Sequence, residues 1–429
     1  MLTLPALALW SALAMASETP TDPGKPGFEG GSVSYHFRSF ADVQDIEGVL
    51  RRHALTANLR VLMDSGLTPG PAGLGFNASL FVGADVGSSS TAGNMAHIRT
   101  DWTRSDQPAW AYLGEYGVRL KGDDYLLRYG VQTYSNPYLE SKDNRGLPPT
   151  FRGLAGVYTP AENWRVELGS VDSVYARGMA ARTPLTTTYG NTPVRRLDFV
   201  GVAYEAQDGR SGSLYAAHAQ DVWTQWFASG AAGVGDPQVL QLKGNVAAYF
   251  TRSTGRALQG RIHTNAYSFS LSPTRGPYSV TLGFQHIQGD QFFDYLSESW
   301  GIALANAYGA DYNAPNERSL MLSFSLDGAG VGLAGLKATL WRGQGWGADA
   351  SVGAQPFRSP DAALHALYWK QGQPVQGKHR EAGLYLEYAA PPSWARELRL
   401  KLIAMQHWST QRYSEDPFYE VKFTVDKKF

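Results

Sequence analysis

The final stretch of the chain, Phe418-Tyr419-Glu420-Val421-Lys422-Phe423-Thr424-Val425-Asp426-Lys427-Lys428-Phe429, decides the fold. Tyr419, Val421, Phe423, Val425 and Phe429 fall on one face, with Lys427 the exception there. Glu420, Lys422, Thr424 and Asp426 fall on the other. A period of two is a strand between two different surroundings. An apolar face that ends in a terminal aromatic fits a lipid-facing strand of an outer-membrane barrel. A half-buried strand of a soluble sandwich is the competing reading of this segment alone.

The same alternation recurs along the chain. Val33, Tyr35 and Phe37 alternate with Ser34, His36 and Arg38; Leu59 and Val61 with Asn58 and Arg60. Tyr125, Leu127, Tyr129 and Val131 alternate with a set containing Arg128, and Leu398, Leu400, Leu402 and Ala404 with a set containing Arg399 and Lys401. One set is apolar and the other mostly small, polar or charged, the pattern of a barrel with a wet interior. Short turns such as Lys121–Asp124 and Asp208–Gly212 separate some strands. Long polar, Gly- and Pro-rich stretches separate others: Gly83–Asp106, Ser135–Pro149, Arg177–Pro193, Phe227–Gln238, Gly289–Asn316 and Gly343–Lys378. Short periplasmic turns on one rim and long extracellular loops on the other describe an outer-membrane barrel. At roughly 23 residues per strand and connection, the chain holds about 18 antiparallel strands, with 16 also compatible with the count. Either number encloses a water-filled channel.

Composition agrees. Tyr (23) and Gly (47) are abundant, as girdles and turns of a barrel require, and no apolar run reaches the length of a membrane-spanning helix. The chain has no Cys, which removes disulfides and thiolate metal sites. Its formal net charge is zero, which argues against nucleic acid as a partner. Leu2–Ala16 is apolar and ends in Ala14-Met15-Ala16, so residues 1–16 read as a secretory signal peptide, although no Lys or Arg precedes the apolar run. Residues 17–30 read as a flexible periplasmic lead-in and 31–429 as the barrel domain of a Gram-negative outer membrane.

Several blocks in one order then carry a family resemblance: Asp64-Ser65-Gly66-Leu67-Thr68-Pro69-Gly70 with Gly73-Leu74-Gly75-Phe76; Arg128-Tyr129-Gly130; Asn136-Pro137; Asp143-Asn144-Arg145-Gly146-Leu147-Pro148-Pro149-Thr150-Phe151-Arg152-Gly153; Asp221-Val222-Trp223-Thr224-Gln225-Trp226; Gly255–Ile262 with Asn265; and Gln285–Asp290. The chain resembles the OprD-type outer-membrane porins, substrate-specific carboxylate channels. The resemblance implies an 18-stranded barrel, a weak homotrimer, loops folded into the pore, and a ladder of lumenal Arg and Lys that guides a substrate carboxylate. Guanidinium groups offer carboxylates two parallel donors, and a column of such sites passes an anion along without holding it too tightly.

By position, Arg38, Arg60 and Arg128 face the lumen, Arg145 falls in the constriction-loop motif with Arg152 after it, and Arg399 and Lys401 face inward near the C-terminus. Asp143 is expected to hold Arg145 as its counter-charge. Trp341, Glu387 and Ile403 stand where basic residues are expected, so the ladder is thinner and Glu387 puts an acid in it. A preference for zwitterionic, weakly acidic or partly neutral small molecules over simple anions follows as an expectation. Asp290, Phe292, Phe293 and Tyr295 open the loop at Gly289–Asn316 and would line an apolar slide if it folds inward.

Other classes fit less well. The nine His residues show no triad or metal spacing, so neither enzyme activity, a metal site nor a cofactor is expected. A non-conducting adhesion barrel is the alternative, but it would need partners for lumenal charge at many heights. The expected partners are small solutes, outer-membrane lipid and lipopolysaccharide, and the barrel-assembly machinery, with Phe429 as its signal.

Overall fold

The computed structural model describes residues 30–93, 109–391, 395 and 397–429. The leader 1–16, nearly all of the lead-in 17–30 and part of the Gly83–Asp106 stretch lie outside the described residues.

The strands are β1 Ser32–Ile46, β2 Leu50–Asp64, β3 Gly73–Asp85, β4 Ala109–Lys121, β5 Tyr125–Gln132, β6 Thr150–Ala161, β7 Trp164–Tyr175, β8 Thr183–Thr186, β9 Pro193–Val194, β10 Leu197–Glu205, β11 Ser211–Ala219, β12 Trp223–Asp236, β13 Leu240–Ser253, β14 His263–Arg275, β15 Tyr278–Gln288, β16 Arg318–Asp327, β17 Leu336–Asp349, β18 Trp369–Lys370, β19 Gln373–Pro374, β20 Gln376–Ala389, β21 Leu398–Ser409 and β22 Phe418–Lys428. Twenty of them form one sheet. Of these, β8 and β9 are short additions from a loop, and the other eighteen pair antiparallel, each with its neighbour in the chain. The sheet closes because β1 pairs with β22, His36 lying opposite Lys428 and Ile46 opposite Phe418. Phe429 completes the seam: its N–H donates to Tyr35 O at 2.9 Å.

Closure removes every edge, so the backbone is satisfied without water, the condition for spanning a bilayer with strands. The outer wall carries the apolar set. Tyr35, Phe37, Leu127, Tyr129, Phe269, Leu322, Phe324, Val421 and Phe423 are all exposed on it.

Both described ends lie on the rim of short turns, such as 122–124, 162–163 and 276–277. The opposite rim carries the long loops 133–149, 176–196, 289–317 and 350–375. Two stretches read as loops are strand instead. Phe227–Asp236 belongs to β12, and Gly343–Asp349 to β17. At Gly345 the reason is spatial: a Cβ there would sit 2.4 Å from Glu317 Oε1. Glycine at this position marks an incoming loop rather than a turn.

Candidate functional site: the loop-narrowed lumen

The long loops fold into the barrel, and they occupy one side of it. Asn136 caps a turn at the start of loop 133–149, its Oδ1 accepting from Tyr138 N and Leu139 N, both at 3.0 Å. The loop then reaches the far wall. Tyr138 Oη donates to the carbonyls of Tyr215 (3.1 Å) on β11 and Gln225 (3.0 Å) on β12, and Tyr249 Oη from β13 donates to Pro137 O at 2.8 Å. Loop 289–317 fills the space beside it. Ala303 N donates to Tyr249 Oη at 3.0 Å, Ala305 N to Ser268 Oγ at 3.1 Å, and Asn306 N to Gln285 Oε1 at 3.2 Å. Loop 176–196 joins them: Asp294 accepts from Tyr189 N and Gly190 N at 2.9 Å each and from Gln259 Nε2 at 2.8 Å.

Packing reinforces these bonds. Tyr138, Leu139, Phe293, Tyr295, Leu296, Ile302 and Leu304 are buried in one cluster with the inward residues Leu197, Phe199, Tyr215, Phe227, Tyr249 and Ile287 of the wall. The aromatic opening of loop 289–317 therefore does not line a slide. Phe293 and Tyr295 are 1% and 2% exposed inside this core, and Phe292 packs with Leu364 and Tyr368 of loop 350–375. The loop turns inward, and its rings are spent on holding it there.

Among the described residues, the space left open lies against β1–β7 and β20–β22. A cavity of about 580 Å³ is lined by Arg60, Arg128, Arg165 and Lys401, by the acids Glu140, Asp143 and Glu167, and by Tyr134. Lys401 reaches it from β21, on the far side of the β1–β22 seam from Arg60. Arg165 and Glu167 form an ion pair with each other. Arg60 lies 5.9 Å from the centroid of the Phe81 ring and bonds His36.

Arg38 is not a free rung of a ladder. Its Nε donates to Asp426 Oδ1 at 2.6 Å, its Nη2 to Asp143 Oδ2 at 3.1 Å, and its Nη1 to Asp143 Oδ1 and, at 3.0 Å, to Arg145 O. His36 Nε2 bonds the same Asp426 Oδ1 at 3.0 Å. One guanidinium thus ties loop 133–149 to the seam. Gly146 allows the close approach, since a Cβ there would lie 2.4 Å from Asn58 Nδ2.

This corrects the expected role of Asp143, which partners Arg38 rather than Arg145. Burial pushes its carboxyl up, but the Arg38 charge and hydrogen bonds, helped by Arg60, outweigh it and hold it below the usual carboxylate range. Arg145 contributes its carbonyl to Arg38, while its guanidinium lies in the field of Arg177, Glu298, Arg52 and Asp42. Burial, with Arg177 adding to it, brings its pKa down to about 10.

Arg152 is a second correction. Opposite Val131 and Ser173, it has the outward parity of the exposed Leu154, and it pairs with Asp172 at 2.6 Å. The bulge in the β6–β7 pairing beside it lies on β7, where Asp172 is the extra residue, so β6 keeps its alternation and Arg152 faces outward with Leu154. Arg399 and Glu387 do have inward parity, Arg399 opposite Asp426 and Glu387 opposite Lys401. Tyr385 Oη donates to Glu387.

Two loop residues escaped the sequence reading, as did the Arg165–Glu167 pair on β7. Glu140 lines the cavity, and burial pushes its carboxyl up to about 7. Lys142 sits 4.2 Å from the Trp300 ring centroid, and burial, with Arg177 adding to it, lowers its pKa to about 8. Only the fold brings Glu140 beside Arg60 and Arg128, and Lys142 beside Trp300 and Arg177, so no local spacing announces them.

Fold and lumen define a class: an outer-membrane β-barrel channel, narrowed by its own loops, that passes small solutes without catalysis. The chain belongs to the OprD family of outer membrane porins, whose family model matches residues 27–429. Porin D of Pseudomonas aeruginosa is 25% identical over 378 residues, covering 85% of this chain and 82% of that one. The porin-like protein GalP of Pseudomonas putida is 24% identical over 343 residues, covering 75% and 80%. The crystal structure of OccD3 (OpdP) from P. aeruginosa superposes with a TM-score of 0.82 at 26% identity over 96% of this chain and 95% of that one. OpdK, also from P. aeruginosa and crystallised with vanillate, has the same fold, with a TM-score of 0.80 at 19% identity over 93% and 98% of the two chains. The protein is thus a substrate-selective porin of a Gram-negative outer membrane.

Proposed function

We propose that this porin gives passive, facilitated diffusion to small solutes bearing one carboxylate, with zwitterions favoured over simple anions. The observation that carries the reading is the cavity in which Arg60, Arg128 and Lys401 converge while Glu140 stands among them. The remaining charges there are already matched, Asp143 by Arg38 and Glu167 by Arg165. Three cations from different strands can pass a carboxylate between them, each gripping it weakly enough for release. Glu140 is the group placed to accept an ammonium on the same solute. The presence of vanillate, a carboxylate, in OpdK supports the carboxylate half of this assignment.

Liposome swelling tests it. Proteoliposomes should admit a small amino acid and a small monocarboxylate faster than a neutral sugar of similar size. Arg128→Ala should erase the preference, and Glu140→Gln should erase only the amino-acid advantage. Equal rates for all three solutes would defeat the proposal.

The lesser partners belong to the same reading: a leader at 1–16 removed on export, a lead-in at 17–30, a weak homotrimer, and assembly machinery that reads Phe429. The exposed terminal ring at the β1–β22 seam supports the last of these. Deleting Phe429 should lower outer-membrane levels of the protein, and unchanged levels would remove Phe429 as the signal.

A further inference from the structure

The outer wall carries cations as well as the lumen. Near the long-loop rim most are matched. Arg51 lies 3.8 Å from Asp45, Arg152 pairs with Asp172, and Arg252 donates to Asn265 Oδ1 at 3.0 Å and to backbone carbonyls. Arg318 on β16, Arg342 on β17, and Lys378 and Arg380 on β20 are different. They occupy three consecutive barrel strands and are exposed, and among the described residues no carboxylate is bonded to any of them. Register holds them together: Arg318 lies opposite Trp346, Gln344 opposite Arg380, and Arg342 opposite Ala382. Arg342 and Arg380 are therefore diagonal neighbours, about 7–8 Å apart at the backbone. The Arg380 guanidinium lies 5.1 Å from the centroid of the Trp408 ring. Towards the membrane centre the same face turns wholly apolar, with Phe324 and Leu340 opposite each other and exposed on it.

A lipid-facing cation is costly at the bilayer midplane and tolerable near the headgroups. Trp346 and Trp408 are the aromatic residues of such a boundary. The long-loop rim faces the outer leaflet, so this boundary is the outer one. We propose that Arg318, Arg342, Lys378 and Arg380 form a binding site for the phosphate groups of an outer-leaflet lipid, whose acyl chains cover Phe324 and Leu340. Guanidinium pairs bind phosphate oxygens bidentately, and an ammonium adds a point charge. The continuous apolar surface below the cations selects a lipid-borne phosphate over a free one.

The test uses the full-length protein in neutral detergent, with a bis-phosphorylated glycolipid as probe and native mass spectrometry as readout. The same glycolipid without its phosphates, and inorganic phosphate at equal concentration, are the comparators. The wild type should retain the phosphorylated lipid and neither comparator. The triple variant Arg318→Gln, Arg342→Gln, Arg380→Gln should bind it at least about tenfold more weakly. The control pair Arg51→Gln, Arg152→Gln should bind as the wild type does. Unchanged single-channel conductance confirms that the triple variant is folded, because these side chains face away from the lumen. If the triple variant does not assemble, Arg342→Gln alone should still show a partial loss. Equal binding by wild type and triple variant, or equal retention of the dephosphorylated lipid, would overturn the proposal. Saturation of the site by inorganic phosphate would reduce it to an adventitious ion.

Discussion

The two sides of this barrel have the same backbone and opposite interiors. Along β10–β16 the inward residues at mid-height are apolar or neutral, such as Leu197, Phe199, Tyr215, Phe227, Tyr249, Ser268, Gln285 and Ile287, and two loops pack against them. Along β1–β5 and β20–β22 the inward residues include His36, Arg38, Arg60, Glu115, Arg119, Arg128, Glu387, Lys401, Lys422 and Asp426, and among the described residues the lumen there stays open. A loop can be buried only against a wall that satisfies its backbone and covers its rings. A solute can be guided only past charges that are not already covered. One wall therefore positions the constriction, and the other supplies its chemistry.

The largest effect that would break this comparison comes from the filled side. Deleting Ser299–Gly309 removes the segment that meets Ser268 and Gln285, and single-channel conductance should rise several-fold. No rise would mean that the loop does not narrow the pore. Next come the charges of the open side. Arg128→Ala and Lys401→Ala should each move the reversal potential away from the anion side, whereas Ser268→Ala on the filled side should leave it unchanged.

The clamp joining the two sides is third. Arg38→Met leaves Asp143 and Asp426 without their shared partner and should destabilise the loop by about 1–3 kcal/mol. It should appear as a lower temperature of the heat-modified band shift, with current noise from a loosened loop. A variant as quiet and as heat-stable as the wild type would show that the clamp is ornamental. The smallest effect is pH. The Glu140 carboxyl, raised to about 7 by burial, loses its charge as pH falls through that range. Anion preference should therefore grow from pH 8 to pH 6. Lys142, lowered to about 8, gains charge over the upper part of the same interval and acts in the same direction. Glu140→Gln should flatten the response below pH 7. An unaltered profile would remove Glu140 from the pathway.

Much of the fold was legible because each spanning strand must present an apolar face to lipid. The segments at Val33–Arg38, Tyr125–Gln132 and Tyr419–Phe429 alternate for that reason, and their lumenal charges follow from parity. Parity fails where glycine replaces the inward side chain, as at Gly343 and Gly345; at Arg152 it holds, since that residue faces outward with Leu154, and it was the motif position that pointed to the lumen. It also says nothing of partners. Arg38 meets Asp143 and Asp426 across separations of 105 and 388 residues. No local pattern shows that a lumenal arginine has been committed to holding a loop. The motifs around Asn136-Pro137 and Asp143–Gly153 are the turn and clamp of that loop, so their signal was structural before it was functional.

The most direct test of the division between the two sides is the reversal potential of the purified protein in planar bilayers under a salt gradient. Wild type would be compared with the double variant Arg128→Ala, Lys401→Ala. A modest anion preference in the wild type that vanishes in the double variant, at similar conductance, is the predicted result. A cation-selective wild type, or a double variant with unaltered selectivity, would contradict the account.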